Sequence, residues 1–274
     1  MTNWQGAVCA VFACVLAAVP VQAASPERVR FLEGRSAAPL TPEELAEQVK
    51  GYLPPGTIDI AKILNGPPTV DSAGDKADVA HVRQVNGHAN AARWERAVLD
   101  DASVYDRFDE QLGFRPDRKR FPRFVRLLNR VADDAFVAGG EAKKLFPRPR
   151  PFQRFAFTRV CGQAKVPKPV ASPSGGTSYP SGHAVVSWAV ALVMMEASPQ
   201  SAQSIIARAV DYGESRVVCG LHFPTDIDAG HLVATAVVDK LFVLPEFRRD
   251  FLCAKTELQS VLAGMRAEDL PACQ

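Results

Sequence analysis

In the second half of this chain apolar residues return at helical spacing. Phe121, Val125, Leu128, Val131, Ala132 and Ala135 share one face of a helix, and Ala91, Trp94, Ala97 and Val98 share the face of a shorter one, with helical spacing from His88 onward. Two further stretches, Ser181 to Glu196 and Thr225 to Leu241, are apolar on nearly every side, which predicts helices enclosed by others. Ser198-Pro199 offers a cap and a first-turn proline for a helix running towards Tyr212, and Pro245 to Leu262 predict an amphipathic one. No stretch sustains the alternation of a strand. The pattern therefore predicts one all-α domain, a helical bundle around the two apolar helices, with no internal repeat.

Earlier in the chain this pattern gives way. Residues 25–80 are rich in Pro, Gly and Asp, and carry one helix start, Thr41-Pro42-Glu43-Glu44, a capping box with Pro at the first helical position. Leu53-Pro54-Pro55-Gly56 and Gly66-Pro67-Pro68 read as turns. The expectation is a loop-rich wrap over residues 24–85 around a helical core of residues 86–274.

The first residues read differently again. Met1 to Gln5 are polar, Gly6 to Val21 are apolar apart from Pro20, and Val21-Gln22-Ala23 offers small residues at a cut. This has the form of a secretory signal peptide, residues 1–23, although no Lys or Arg precedes the apolar run. The run falls short of the roughly 20 residues a membrane span needs, and no later segment reaches that length. Residues 24–274 are thus expected as one exported, periplasmic domain without a stable membrane anchor. A formal net charge of +2 gives no global case for nucleic acid or an anionic surface as partner. Signal removal leaves Cys161, Cys219, Cys253 and Cys273, an even set that suggests two disulfides in one of three pairings. No Cys-x-x-Cys or paired His spacing points to a metal site.

Three clusters carry candidate chemistry. Pro180-Ser181-Gly182-His183 lies where a Gly/Ser-rich loop, residues 172–178, turns into a helix; free backbone amides and the helix dipole make an anion site there, Gly182 allows close approach, Ser181 adds a hydroxyl and His183 a titratable group. Ser215-Arg216 precede His222 and Asp226. A neutral imidazole can attack phosphorus if its far nitrogen has an acceptor, and Asp226, four residues on at a helix start, can supply one. Asp228 and His231 on the same segment read as structural. Lys143 and Arg150 flank the turn Phe146-Pro147-Arg148-Pro149; a point-charge Lys and a forked Arg can share phosphoryl oxygens, with Lys144 and Arg148 read as solvated neighbours. A Cys161–Cys219 bridge would tie two of these loops together and leave Cys253 to pair with Cys273.

Taken in order, Lys143, six residues, Arg150-Pro151, then Pro180-Ser181-Gly182-His183, then Ser215-Arg216, five residues, His222, three residues, Asp226 resemble the tripartite signature of the type 2 phosphatidic acid phosphatase superfamily. Within it, Ser178-Tyr179-Pro180-Ser181-Gly182-His183 and Ser215-Arg216-Val217-Val218-Cys219-Gly220, with Tyr52-Leu53-Pro54-Pro55 and Pro67-Pro68-Thr69-Val70-Asp71-Ser72, are similar to the bacterial class A nonspecific acid phosphatases; Ala184, where that class implies a Thr, is a local departure. The resemblance implies a single-domain helical bundle of the acid phosphatase/vanadium-dependent haloperoxidase type. It implies an exported, metal-independent acid phosphatase without a cofactor, hydrolysing small-molecule phosphomonoesters through a phosphohistidine, with phosphotransferase side activity. In that scheme His222 attacks phosphorus, Asp226 orients it and His183 protonates the leaving alcohol and then activates water. Lys143, Arg150, Ser181, Gly182 and Arg216 bind phosphate. It also implies a homodimer or larger homo-oligomer. The competing readings are a vanadium-dependent haloperoxidase with a similar pocket, a lipid phosphate phosphatase, which would carry several spans, and a noncatalytic phosphate-binding protein, which would not need His222 with Asp226.

Overall fold

The computed structural model describes residues 31–33, 41, 43, 50–101, 103–162 and 177–273. The signal segment, most of the helix start at 41–44 and most of the Gly/Ser-rich loop at 172–178 lie outside them. Ten α-helices longer than a single 3-10 turn are named here: α1 Ile60–Ile63, α2 Ala73–His88, α3 Ala91–Leu99, α4 Asp109–Leu112, α5 Pro122–Leu145, α6 Pro151–Arg154, α7 Gly182–Ala197, α8 Ala202–Val218, α9 Pro224–Val243 and α10 Pro245–Leu262. No strand occurs among the described residues.

The apolar helix α7 is the centre of the bundle and packs against α9, α8 and α5; α10 closes the outer side of α5. Its inward residues, among them Ala184, Val185, Val186, Ala189, Val190, Val193 and Met194, have no exposed surface. Small and β-branched side chains on every face let three neighbours come close at once. The tightest point is at Gly230 on α9. A Cβ there would lie 2.9 Å from the Cβ of Ala184, 3.1 Å from the Ser181 carbonyl oxygen and 3.2 Å from the Val185 nitrogen. The Ser181 amide donates to the Asp226 carbonyl at 2.9 Å, so the first turns of α7 and α9 are locked side by side. That crossing is what gathers Ser181, Gly182 and His183 beside Asp226.

Helices α5 and α7 to α10 follow the apolar pattern closely, with α10 at the expected bounds and α8 running past Tyr212 to Val218 after a 3-10 turn at Pro199–Ser201. Two expectations need correction. The stretch read as loop holds α1 and, from Ala73, the start of α2: Ser72 caps α2 by accepting from the Asp75 amide at 3.2 Å. The residues α2 buries are Asp75, Asp78, Val82 and Asn86, a helical stripe that is mostly polar, so apolar periodicity could not reveal it. On α3, Ala97 is buried but Val98 is 40% exposed, because the helix rests on α8 by one narrow edge. The four cysteines pair Cys161 with Cys219 and Cys253 with Cys273. Each bridge closes a loop whose entropy in the unfolded chain corresponds to roughly 3 to 4 kcal/mol.

Substituting Gly230→Ala forces backbone apart at the α7–α9 crossing and is expected to destabilise the fold by about 1–3 kcal/mol. Gly140→Ala on α5, where an added Cβ meets no heavy atom within 4 Å, should be neutral or stabilising. Urea unfolding of both variants checks this, and equal midpoints would refute it.

Candidate active site

His222 lies in the short loop between α8 and α9 and is 1% exposed. Arg150 sends Nη1 to His222 Nε2 at 3.0 Å and to the Leu221 carbonyl at 3.0 Å. A guanidinium can only donate, so Nε2 is the accepting nitrogen and the ring proton sits on Nδ1. Nδ1 faces Ser178 Oγ at 3.3 Å and Asp226 Oδ2 at 3.5 Å. The Ser178 hydroxyl donates to that same Asp226 oxygen, which also accepts the Phe223 amide at 2.8 Å. Asp226 thereby does two jobs from the third position of α9: it closes the helix start and backs the imidazole.

The electrostatics follow from burial. Enclosure lowers the His222 pKa well below its ordinary value, and the attraction of Asp226 does not restore it, so the ring is neutral. For Asp226, burial pushes upward, but its hydrogen bond to His222, the Arg148 charge and the Ser178 hydroxyl outweigh that and bring it down to about 2. The pair is a neutral imidazole against an ionised carboxylate.

Around Nε2 stand the cations. Lys143 ends α5, and its Nζ donates to the Thr177 carbonyl at 2.8 Å and to that of Pro180; a Cβ on Gly182 would lie 3.8 Å from its Cε. Burial, aided by Arg150, lowers the Lys143 pKa to about 8 against the pull of Asp226. Burial likewise lowers that of Arg150. Arg216 on α8 is 1% exposed and donates from Nη2 to Asp101 Oδ1 at 2.8 Å; its buried Nε and Nη1 have no hydrogen-bond partner among the described residues. Ser181 caps α7, its hydroxyl accepting from the Ala184 amide at 3.4 Å. Donors left unpaired in a buried place are costly unless an anion takes them.

His183, on the first turn of α7, also presents a buried Nε2 without a hydrogen bond among the described residues, 3.4 Å from Asp101 Oδ1, with Phe31 edge-on to its ring at 4.7 Å. Burial and the Arg216 charge lower its pKa to about 4, while Asp101 pulls upward. Asp101 itself is held well below the usual carboxylate range: the close approach of His183 comes first, and the Arg216 charge adds to it against the opposing effect of burial.

The structure thus brings Lys143, Arg150, Ser181, Gly182, His183, Arg216, His222 and Asp226 to one place. The Cys161–Cys219 bridge ties the chain after α6 to the end of α8 beside them, and the Cys161 amide donates to the Cys219 carbonyl at 3.2 Å. Ser215, next to Arg216, turns the other way and donates to Asp100 at 2.6 Å. Asp228 is exposed and His231 stacks on Trp188 at 3.9 Å, away from the site. Arg148 corrects the sequence reading: it is 4% exposed, not solvated, and donates to Asp226 Oδ1 at 2.7 Å. Sequence reasoning also passed over Ser178 and Asp101. Arg148 left one signal, a basic residue clamped between two prolines, whereas nothing local marks Asp101. Among the described residues no group of three or more His, Cys, Asp or Glu is placed to hold a metal ion.

The profile of the PAP2 superfamily matches residues 127–249. The chain is 35% identical to a non-specific acid phosphatase of Providencia stuartii over 73% of this chain and 81% of the relative. It is 31% identical to an acid phosphatase of Zymomonas mobilis over 77% and 80%. A non-specific acid phosphatase of Salmonella typhimurium is 28% identical over 88% and 92%.

Asp101 favours the protonated form of His183, so Asp101→Asn should lower the His183 pKa and leave the ring neutral down to a more acidic pH. Titration of the ring nitrogens by NMR reads this directly; an unchanged or raised value would show that the two side chains do not interact.

Proposed function

The chain belongs to the PAP2 superfamily, and on that premise we propose that it is an acid phosphatase hydrolysing small-molecule phosphomonoesters through a phosphohistidine. The observation that carries this reading is a buried, neutral His222 whose Nε2 faces a cluster of cationic donors while an ionised carboxylate stands behind Nδ1. The phosphoryl group sits between Arg150, Lys143, Arg216 and the first amides of α7, which share its equatorial oxygens. The Nε2 lone pair forms the N–P bond as the bond to the leaving oxygen breaks, and His183 delivers its proton to that oxygen. Water then attacks phosphorus, His183 takes a proton from it, and phosphate leaves His222 as it began.

The acid range follows from the same two rings. His222 stays neutral there because burial disfavours its charge, so it remains a nucleophile where a solvated His would be protonated. His183 must carry a proton for the first step. With a pKa of about 4 it does so only in acid, and a bound phosphate dianion beside it extends that range upward. Activity should therefore fall as pH rises. Positive charge from Lys143, Arg150 and Arg216 supports catalysis without a metal. Export after loss of residues 1–23, with residues 24–274 as one periplasmic domain, is supported by two disulfides, which persist in oxidising compartments. A homodimer or larger assembly and phosphotransferase side activity belong to this reading as expectations of the family.

Turnover of p-nitrophenyl phosphate should survive EDTA, and vanadate should inhibit competitively as a mimic of the trigonal bipyramid. His222→Ala should lose both turnover and rapid-quench phosphoenzyme labelling. His183→Ala should accumulate label from aryl phosphates, losing about 10²- to 10⁴-fold in turnover as a proton carrier disappears. Label retained in His222→Ala would reassign the nucleophile, and peroxide-dependent halide oxidation without phosphatase activity would replace this reading with a haloperoxidase.

A further inference from the structure

The Arg148 guanidinium is engaged through both Nη atoms. Nη1 donates to Asp226 Oδ1 at 2.7 Å and to Thr225 Oγ1 at 2.9 Å, while Nη2 donates to Asp78 Oδ2 at 2.8 Å and lies 3.6 Å from Asp75 Oδ1. Its plane lies 4.0 Å from the ring centre of Phe223, the residue after His222. Asp78 also accepts the Thr225 amide at 3.2 Å, and Arg154 holds Asp75 through two bonds of 2.6 and 2.7 Å. One prong of the fork thus grips the carboxylate behind His222 and the other grips α2, a helix that precedes the matched stretch 127–249.

We propose that Arg148 is a positioning residue for phosphoryl transfer, fixing Asp226 against α2 and so setting the angle at which Asp226 and Ser178 hold His222. The proposal rests on His222 being the nucleophile. Asp226 Oδ2 is fixed by the Phe223 amide and Ser178, but without Arg148 nothing fixes Oδ1, and the carboxylate can swing about its Cβ. An in-line attack tolerates little of that. Lys could not replace the fork, because a single ammonium has no planar pair of donors to span two carboxylates. The charge matters separately: it keeps Asp226 an ionised acceptor that leaves the Nδ1 proton on the ring.

The groups facing Asp226 are His222, Lys143 and Arg150 from the pocket, Ser178 and Tyr179 from the loop before α7, and Arg148 with Asp78 behind it from the α2 side. The test uses wild type, Arg148→Gln, Arg148→Lys and Asp78→Asn. It measures the rate of phosphoenzyme formation from a radiolabelled aryl phosphate across pH by rapid quench, with KM and thermal midpoint alongside. Arg148→Gln should slow formation about 10- to 100-fold, the range for partners that orient a reacting ligand, with KM little changed. Its acid limb should move to higher pH, since losing a positive charge makes Asp226 and His222 easier to protonate. Arg148→Lys should lose rate yet keep the limb. Asp78→Asn should lose less rate and move the limb to lower pH, because Arg148 then acts on Asp226 uncompensated.

Loosened packing cannot produce limb shifts of opposite sign. Full rate in Arg148→Lys, or rates that follow the thermal midpoint with no shift of limb, would overturn the proposal. If Arg148→Gln does not fold, Asp78→Asn decides: no shift, or an upward one, overturns it. Absence of labelled histidine in wild type would overturn the phosphohistidine reading, and this inference with it.

Discussion

The Asp226 carboxylate has no exposed surface, and the site depends on how that buried charge is satisfied. Removing a carboxylate from water costs several kcal/mol even after relaxation, and only dense hydrogen bonding with an opposite charge offsets it. Asp226 has both: the Phe223 amide and Ser178 hydroxyl on Oδ2, and Arg148 on Oδ1. Each partner comes from a different part of the chain, the start of α9, the loop before α7 and the turn after α5. A charge that can be buried only when all three arrive makes the site assemble as a unit with the fold. The carbonyl of the same residue accepts the Ser181 amide, so the start of α7 is registered to it as well.

At the other end of the pocket the same device is used less completely. Asp101 takes Arg216 Nη2 and faces His183, but Arg216 keeps two buried nitrogens without a partner among the described residues. Both Nη atoms of Arg148 bind protein groups, as in a strut, whereas Arg216 leaves Nη1 unspent among the described residues. The difference between the two arginines, equally buried, lies in their unspent donors. Asp100, the residue before Asp101, is held by Ser215 and Arg208, which pins the end of α3 to α8 and fixes where Asp101 stands.

The bundle was legible because its large helices bury apolar stripes, and Lys143, Arg150, Ser181, Gly182, His183, Arg216, His222 and Asp226 were legible because they lie in compact runs with fixed spacing. What escaped obeys a different physics. α2 buries Asp75, Asp78 and Asn86, side chains that ordinarily mark a solvated face, and only their distant partners Arg154, Arg148 and the Val218 and Arg159 carbonyls explain them. Arg148 looked like a surface charge because its partners are 70 or more positions away. Asp101 lacks even a suggestive neighbour: its role comes from α8 and α7 meeting the end of α3.

These escapes share a cause that also explains how the motif can do chemistry. Residues gathered in runs supply the groups that would touch phosphate, and short spacing suffices to bring them near one another. Holding them at fixed angles needs contacts from outside the run, since a local segment has too few atoms to brace its own side chains. Asp78 on α2 and Asp101 after α3 both precede the stretch the family profile matches, yet one braces the carboxylate behind His222 and the other faces His183. The described residues that precede the matched stretch are therefore structural support for the site, and the Cys161–Cys219 bridge joins the chain after Arg150 to the chain before His222.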